Sequence, residues 1–288
     1  MWRSIQRYIQ AHKSLRTAYT PFSRGAKRVL AALDRRTMSE EELAQCLREI
    51  GIVEGATVMV HCSIDEVTRR VPTMNAIRLI ELLERLLGKE GTLLVPNSPF
   101  SGLESDFVHA NDTFDVRRTP SKTGLYTEVF RRMPGVIRSM HPTHAVAGWG
   151  KNAKALLATH HLGTAFGENS PFCKLRDYGG FVAGIGVRMG QSFTIFHSVE
   201  ELHPRTRKML FEEAPYHIRI VNGAEVIPYT SFALKPGIRR NVVDLEEALR
   251  SDGTLRTMTR KGLRLEAADA KALIERGLEL VECRVYIP

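Results

Sequence analysis

The sequence predicts an α/β fold with a layered core and an appended β-hairpin, and three observations carry that prediction. GATVMVHCSI, a helix-period stretch from Asn75 to Leu87 and GTLLVPNS place strand, helix and strand within about 45 residues, the spacing of a βαβ unit and so of a parallel sheet. GGFVAGIGV is a further apolar run of strand length. Residues 214–235 alternate apolar and polar positions around Asn222-Gly223, a dipeptide that marks a hairpin.

Each element follows from local sequence. Residues 1–36 form a basic arm in which Trp2, Ile5, Tyr8, Ile9 and Leu15 keep a loose helical period, and SRGAKRVLAALDRR reads as a second helix. Ser39 followed by Glu42 is a capping box that opens EELAQCLREI, and Gly51 closes that helix. The first strand is apolar and β-branched from Thr57 to Val60 and ends at His61-Cys62-Ser63. Ile77, Ile80, Leu83 and Leu87 recur at helical spacing, and Pro96 stops the next strand. Residues 99–123 are polar and aperiodic, a long loop of the kind that carries function. TGLYTEVFRRMPG is a short helix ended by Pro134-Gly135, and VAGWG leads into a helix over KNAKALLATHH. Helices near 243–251 and 265–279 precede a last strand, VECRVYIP. The expected organisation is an arm over 1–36 and one body over 37–288, with a hairpin lobe at about 214–240.

Composition narrows the function classes. With 288 residues, 43% hydrophobic and 25% charged, the chain has the balance of a soluble globular protein. Cys46, Cys62, Cys173 and Cys283 are scattered without a C-x-x-C pair, which fits a reducing compartment and argues against a disulfide framework or a structural zinc site. No apolar run approaches the roughly 20 residues of a membrane span, and MWRSIQRYIQ lacks a secretory apolar stretch, so a cytoplasmic location is expected. Nine cations against Asp34 give residues 1–36 a net +8 of the chain's +9, so the basicity belongs to the arm. Such an arm suits a contact with its own body, with a twin subunit in a homo-oligomer, or with an anionic membrane surface. Nucleic acid is disfavoured, because the body shows no aromatic-interleaved basic patch.

Chemistry concentrates at a few places. RSMHPTHAVAGWG at 138–150 sets His141 and His144 three apart around Pro142, and a metal site, a general base or a structural turn would each account for it. The metal reading is weak, because zinc-binding histidines in helical motifs sit four apart and Pro142 disfavours a helix at residue 141. In FTIFHSVEELHP, His197 and Glu200 would share one helix face, where a carboxylate orients an imidazole and stabilises its protonated form. Cys62 with a histidine base would make a thiol hydrolase, although a lone buried cysteine is more often a small apolar residue. Gly184-x-Gly186 lacks the third glycine of a dinucleotide loop and reads as close strand packing.

The ordered set VHCSI (60–64), FDVRRTPSKTG (114–124), FRRMPGVIRSMHPTHAVAGWG (130–150), GENSPF (167–172) and FHSVEE (196–201) resembles the aminoglycoside 3-N-acetyltransferase family over about residues 40–280. The resemblance implies an α/β/α layered domain with a largely parallel central sheet and a smaller lobe bearing the hairpin. It implies acetyl-coenzyme A as cosubstrate, no metal, and a small-molecule amine of an amino sugar or aminocyclitol as acceptor. Coenzyme A would lie against His61 and Ser63 and against Thr119-Pro120-Ser121, where Arg117, Arg118 and Lys122 suit phosphates. His144, His197 and Glu200 fall in the reactive region, with His160 as a further imidazole near it. The chain departs from the family at Cys62, where serine is usual, and in charge. Polycationic acceptors call for an acidic cleft, which Glu104, Asp106, Asp112 and Asp115 would have to supply. An amino sugar carried on a nucleotide or lipid diphosphate would suit the arm equally. A nucleic-acid module using the arm and a Cys62 hydrolase stand as more distant alternatives.

Overall fold

In the computed structural model, which describes residues 36–238 and 240–284, the strands are β1 (Thr57–Cys62), β2 (Thr92–Pro96), β3 (Thr113–Asp115), β4 (Ile137–Arg138), β5 (Val146–Gly150), β6 (Phe181–Ile185), β7 (Phe211–Asn222), β8 (Glu225–Leu234), β9 (Leu255–Arg260) and β10 (Leu263–Asp269). Seven form one sheet in the order β4-β5-β2-β1-β6-β10-β9, and three form a second, β3-β7-β8. β1 pairs in parallel with β2 and β6 at the centre, and the outer pairs are antiparallel. Traced outward from β1, all strands of the large sheet except β5 and β10 point the same way.

The side-chain alternation of β1 shows the layers. Val58 and Val60 point into one core with Leu43, Leu47, Leu79, Leu83, Tyr126 and Phe130, supplied by helices Glu40–Glu49, Ala76–Leu87 and Leu125–Phe130. Met59 points to the opposite core with Leu94, Phe196, Val199, Leu273 and Ile274, from helices Phe196–Leu202 and Ala270–Glu282 among others. A strand covered on both faces has no solvent side, so it reads as a continuous apolar run rather than an alternating one. A third core of Phe114, Tyr216, Ile218, Ile220 and Tyr229 lies within the small sheet. The hairpin turns at Gly223, whose φ of +67° takes the left-handed region.

The capping box forms as expected, with Ser39 Oγ accepting from Glu42 N at 3.2 Å and Glu42 Oε2 accepting from Ser39 N at 2.9 Å. Three expectations are corrected. Residues 99–123 are not loop throughout: helix Glu104–Ala110 and β3 lie inside them. A seven-residue helix that buries Glu104 and Ser105 beside Val108 is too short and too polar on its inner face to display a helical period. The stretch near 265–279 is two elements, because Asp269 ends β10 and caps the last helix by accepting from Ala272 N at 2.8 Å. That helix runs through Glu282, so Val281 and Glu282 close it instead of opening a strand. β9, an edge strand with mostly exposed residues, has no apolar pattern to announce it. No described helix is long and apolar enough to cross a membrane. Except for Arg36, the expected basic arm lies outside the described residues.

Candidate active site

The carboxyl ends of β1, β2 and β6 leave the sheet at one edge, which is where parallel sheets receive ligands. His61 and Ser63 stand at the end of β1. The His61 ring stacks on Phe193 at 5.2 Å between centroids, and burial pushes its pKa down to about 3, so the imidazole is neutral. Its Nε2 is sealed from solvent without a hydrogen-bond partner. Ser63 caps helix Ile64–Arg70 by accepting from Glu66 N at 3.4 Å. Gly184 sits under Phe193, and a Cβ there would come within 2.7 Å of that ring, so close packing is the role of this glycine. Burial pushes the Cys62 thiol far above its ordinary range, which removes the thiolate that a hydrolase would need.

β2 leads into Asn97 and Ser98, and the 119–121 loop is pinned to them. Arg138 reaches from β4 to donate to Asn97 O at 2.7 Å and Thr119 O at 2.6 Å, with its guanidinium 4.8 Å from the Phe114 ring centroid. Burial pulls the Arg138 pKa down to about 9, so carbonyl partners and ring together hold a cation with little water around it. Thr119 Oγ1 accepts from Asp115 N at 2.9 Å, and this leaves its hydroxyl hydrogen available. Ser121 is more tied: its hydroxyl sits among Thr127 Oγ1 at 2.8 Å, Thr123 Oγ1 at 3.0 Å and Ser98 O at 3.4 Å. Arg117, Arg118 and Lys122 are exposed beside it.

Two histidine–carboxylate pairs flank one aromatic ring. His197 Nδ1 lies 2.8 Å from Glu200 Oε2 on helix Phe196–Leu202, as the spacing predicted. Glu200 is fully buried, and Arg240 Nε donates to its other oxygen at 2.6 Å. Burial pushes that carboxyl up, but the hydrogen bonds and charges of His197 and Arg240 outweigh it and hold it at about 2. On the other side His144 Nδ1 lies 3.0 Å from Thr143 Oγ1 and 3.4 Å from Glu104 Oε1. Glu104 is buried too, yet His144 beside it and the Leu234 N–H at 2.8 Å keep its pKa below the ordinary value. The Phe166 ring stands between the pairs, 4.6 Å from His144 and 4.7 Å from His197 by centroids. Neither Nε2 has a hydrogen-bond partner among the described residues, and neither is sealed from solvent as that of His61 is. His197 and Arg240 line a cavity of about 210 Å³ with Ser192, Phe193 and Thr194.

The HPTH string divides its histidines between two roles. His141 Nδ1 accepts from His144 N at 3.2 Å while its Nε2 meets Tyr229 Oη at 2.8 Å, so both ring nitrogens are engaged inside the fold. Burial and the neighbouring imidazoles push the pKa of His141 far down. His160, fully buried, is held by Ser139 Oγ at 2.8 Å and Ala165 O at 2.9 Å. The turn therefore spends its first imidazole on structure and presents its second.

The acids expected to line a cleft take separate positions. Glu104 is buried against His144, Asp112 pairs with Arg219 at 2.7 Å, and Asp115 accepts from the N–H groups of Arg117 and Arg118 at 2.9 and 2.8 Å. Sequence reasoning placed Glu104 in the wrong role and passed over Arg240, Phe166 and Glu201. Glu201 is buried, bonds Thr164 Oγ1, and accepts from Phe166 N at 3.2 Å, which fixes the ring between the histidines. The doubled acid of FHSVEE was the available signal for it.

Residues 59–282 match the family model described as aminoglycoside 3-N-acetyltransferase. The SPbeta prophage-derived aminoglycoside N(3')-acetyltransferase-like protein YokD of Bacillus subtilis (strain 168) is 28% identical over 204 residues, 65% of this chain and 72% of that protein. Aminoglycoside N(3)-acetyltransferase VII of Streptomyces paromomycinus is 29% identical over 178 residues, 57% of this chain and 61% of that protein. Among solved structures, AAC-IIIb in binary complex with CoASH superposes with a TM-score of 0.71 at 21% identity, covering 86% of this chain and 97% of that one. At that identity the likeness is one of fold.

Proposed function

The chain belongs to the aminoglycoside 3-N-acetyltransferase family, and on that premise we propose that it is an acetyl-CoA-dependent N-acetyltransferase acting on an amine of an amino sugar or aminocyclitol. The observation that carries the reading is the pair of histidine–carboxylate dyads on either side of Phe166, each with an open Nε2.

The residues at the sheet edge fit acetyl-CoA. The hydroxyls of Ser63 and Thr119, which already accept a backbone N–H and still have a hydrogen to donate, suit the amides and phosphates of such a molecule, and the neutral His61 stacked on Phe193 would support that edge from within. Ser121 would act through the loop it ties down, and Arg117, Arg118 and Lys122 supply exposed positive charge. When bound, acetyl-CoA supplies a thioester whose acyl carbon accepts an amine lone pair and whose sulfur leaves.

The amine must first lose a proton, since an aliphatic ammonium has no lone pair. Of the two imidazoles, we assign the proton acceptor to His144. Among the described residues no guanidinium pairs with Glu104, so its charge acts on His144, whereas Glu200 is shared with Arg240. His144 Nε2 takes the ammonium proton, Glu104 stabilises the imidazolium, and the same nitrogen returns the proton to the leaving sulfur. His197 donates Nδ1–H to Glu200 and so turns an accepting Nε2 to the cavity it lines, where it orients a bound N–H or O–H group. Cys62 is not the carrier of an acyl group in this reading, because burial holds its thiol protonated.

The test is a thiol-release assay with acetyl-CoA over a panel of aminoglycosides and amino sugars. Turnover with at least one amine, lost in His144→Ala, supports the reading; no turnover with any amine, or ping-pong kinetics, opposes it. For residues 1–36, concentrated positive charge supports a contact with a twin subunit or an anionic surface. Gel filtration and vesicle co-sedimentation, with and without the arm, test that assignment.

A further inference from the structure

The bend that carries His144 is held by a side chain rather than by the main chain. Pro142 has no N–H to give, and among the described residues no main-chain carbonyl accepts the N–H groups of Thr143 and His144. Both turn instead to His141 Nδ1, at 3.4 and 3.2 Å. His141, Thr143 and His144 are all buried, so water does not stand in for that acceptor. The bend keeps its shape while Nδ1 of His141 stays unprotonated.

We propose that Tyr229, in the hairpin lobe, is a positioning residue for the proposed base: it fixes the tautomer of His141, and through it the bend that aims His144. The inference rests on the acetyltransferase reading and adds a residue to it. An imidazole that accepts two N–H groups at Nδ1, and that burial keeps neutral, must carry its proton on Nε2. That Nε2–H points at Tyr229 Oη, 2.8 Å away, and the Tyr229 hydroxyl donates its own hydrogen to Gly163 O at 2.7 Å. A one-way chain of hydrogen bonds thus runs from the His144 N–H through His141 and Tyr229 to a carbonyl. Each hydrogen in it has one place to go.

Alternation along β8 brings the phenol there. Tyr229, Ser231 and Ala233 are buried while Pro228, Thr230 and Phe232 are exposed, so Tyr229 faces inward. Its ring meets the His141 ring edge-on at 5.3 Å between centroids, and the His160 ring lies 4.7 Å from His141. His160 offers no substitute acceptor, because its own nitrogens are taken by Ser139 Oγ and Ala165 O. Without the phenol oxygen, the buried Nε2–H of His141 would lack an acceptor. Moving the proton to Nδ1 would relieve that cost, but it would turn the acceptor of the bend into a donor. The same strand also steadies the acid of the pair, since Leu234 N–H donates to Glu104 Oε2 at 2.8 Å.

Steady-state kinetics with acetyl-CoA and the aminoglycosides of the panel, together with imidazole nitrogen NMR on the protein without ligands, test this. Tyr229→Phe should lower kcat about tenfold, the cost of a small misplacement of the base, and leave the KM for acetyl-CoA within about twofold of the parent. His141→Asn places an amide oxygen where Nδ1 stood and gives Tyr229 nothing to hold. It should stay within about threefold of the parent in kcat, well above His141→Ala, and adding Tyr229→Phe to it should cost nothing more. The NMR should show His141 protonated at Nε2 in the parent and largely at Nδ1 in Tyr229→Phe. The proposal is overturned if Tyr229→Phe leaves kcat unchanged or raises only the KM for the amine. It is equally overturned if Tyr229→Phe costs as much in the His141→Asn background as alone, if His141→Asn is no faster than His141→Ala, or if His141 keeps one tautomer throughout. A tautomer change without thiol release toward any amine would sink the acetyltransferase reading and leave the hydrogen-bond chain standing.

Discussion

Replacing Glu200 by glutamine keeps the size of the side chain and one oxygen for His197, and it deletes a buried charge on which Arg240 depends. A carboxyl held at about 2 where the ordinary value is 4.5 contributes roughly 3 kcal/mol to stability at neutral pH. The folded value lies below the unfolded one, so this contribution is complete above about pH 4.5 and fades as pH falls through about 2. Glu200→Gln should therefore be less stable than the parent by about 3 kcal/mol at pH 7, or about 5–10 °C in Tm for a body of this size. The gap should narrow steadily between pH 4.5 and the acid limit of folding. Urea melts at closely spaced pH values measure it. A gap of the same size at every pH would mean that the variant lost packing rather than charge, and no gap at pH 7 would mean that the His197–Glu200–Arg240 cluster does not hold the helix. Thiol release by the variant should fall about tenfold, less than for loss of the base itself.

Four further outcomes follow from the geometry. Glu104→Gln and His144→Ala should each lower kcat by about 10²–10³ with little change in KM for acetyl-CoA, and equal kcat values in the parent and either variant would exclude His144 as the proton acceptor. Cys62→Ser should stay within about twofold of the parent in kcat, and mass spectrometry under turnover should show no acetylated cysteine. Arg138→Lys loses the fork that spans Asn97 O and Thr119 O, so the KM for acetyl-CoA should rise about tenfold while the acceptor KM holds; the reverse pattern would detach the 119–121 loop from the cosubstrate. Gly150→Ala should destabilise by about 3 kcal/mol or more, because Gly150 has a φ of +98° and a Cβ would lie 2.2 Å from Gly91 O. An unchanged Tm would contradict that.

What the sequence disclosed depended on how local each cause was. The Ser39 box, the hairpin and the His197–Glu200 contact are set within a few residues by one turn of helix or one reversal of chain, and all three could be read directly. The buried strands were legible because a strand covered on both faces can be filled only by apolar residues. β9 and helix Glu104–Ala110 were not, since an exposed edge and a short helix with a buried acid carry no hydrophobic period.

The carboxylate of His144 shows where such reading stops. Glu104 lies in a stretch whose other acids face solvent or cap turns, and nothing in its neighbours distinguishes it from Asp106 or Asp112. Its role appears only once Leu234 N from the hairpin and His144 from the turn before β5 converge on it. A burial penalty that a lone carboxylate could not sustain is offset here by an N–H and an imidazole drawn from two distant segments. Glu200 draws on its own helix and on Arg240 for the same purpose. The dyad assembled from distant parts is the one whose carboxylate has no guanidinium beside it among the described residues. For that reason the acid partner of His144, and not His144 itself, is what motif spacing could not identify.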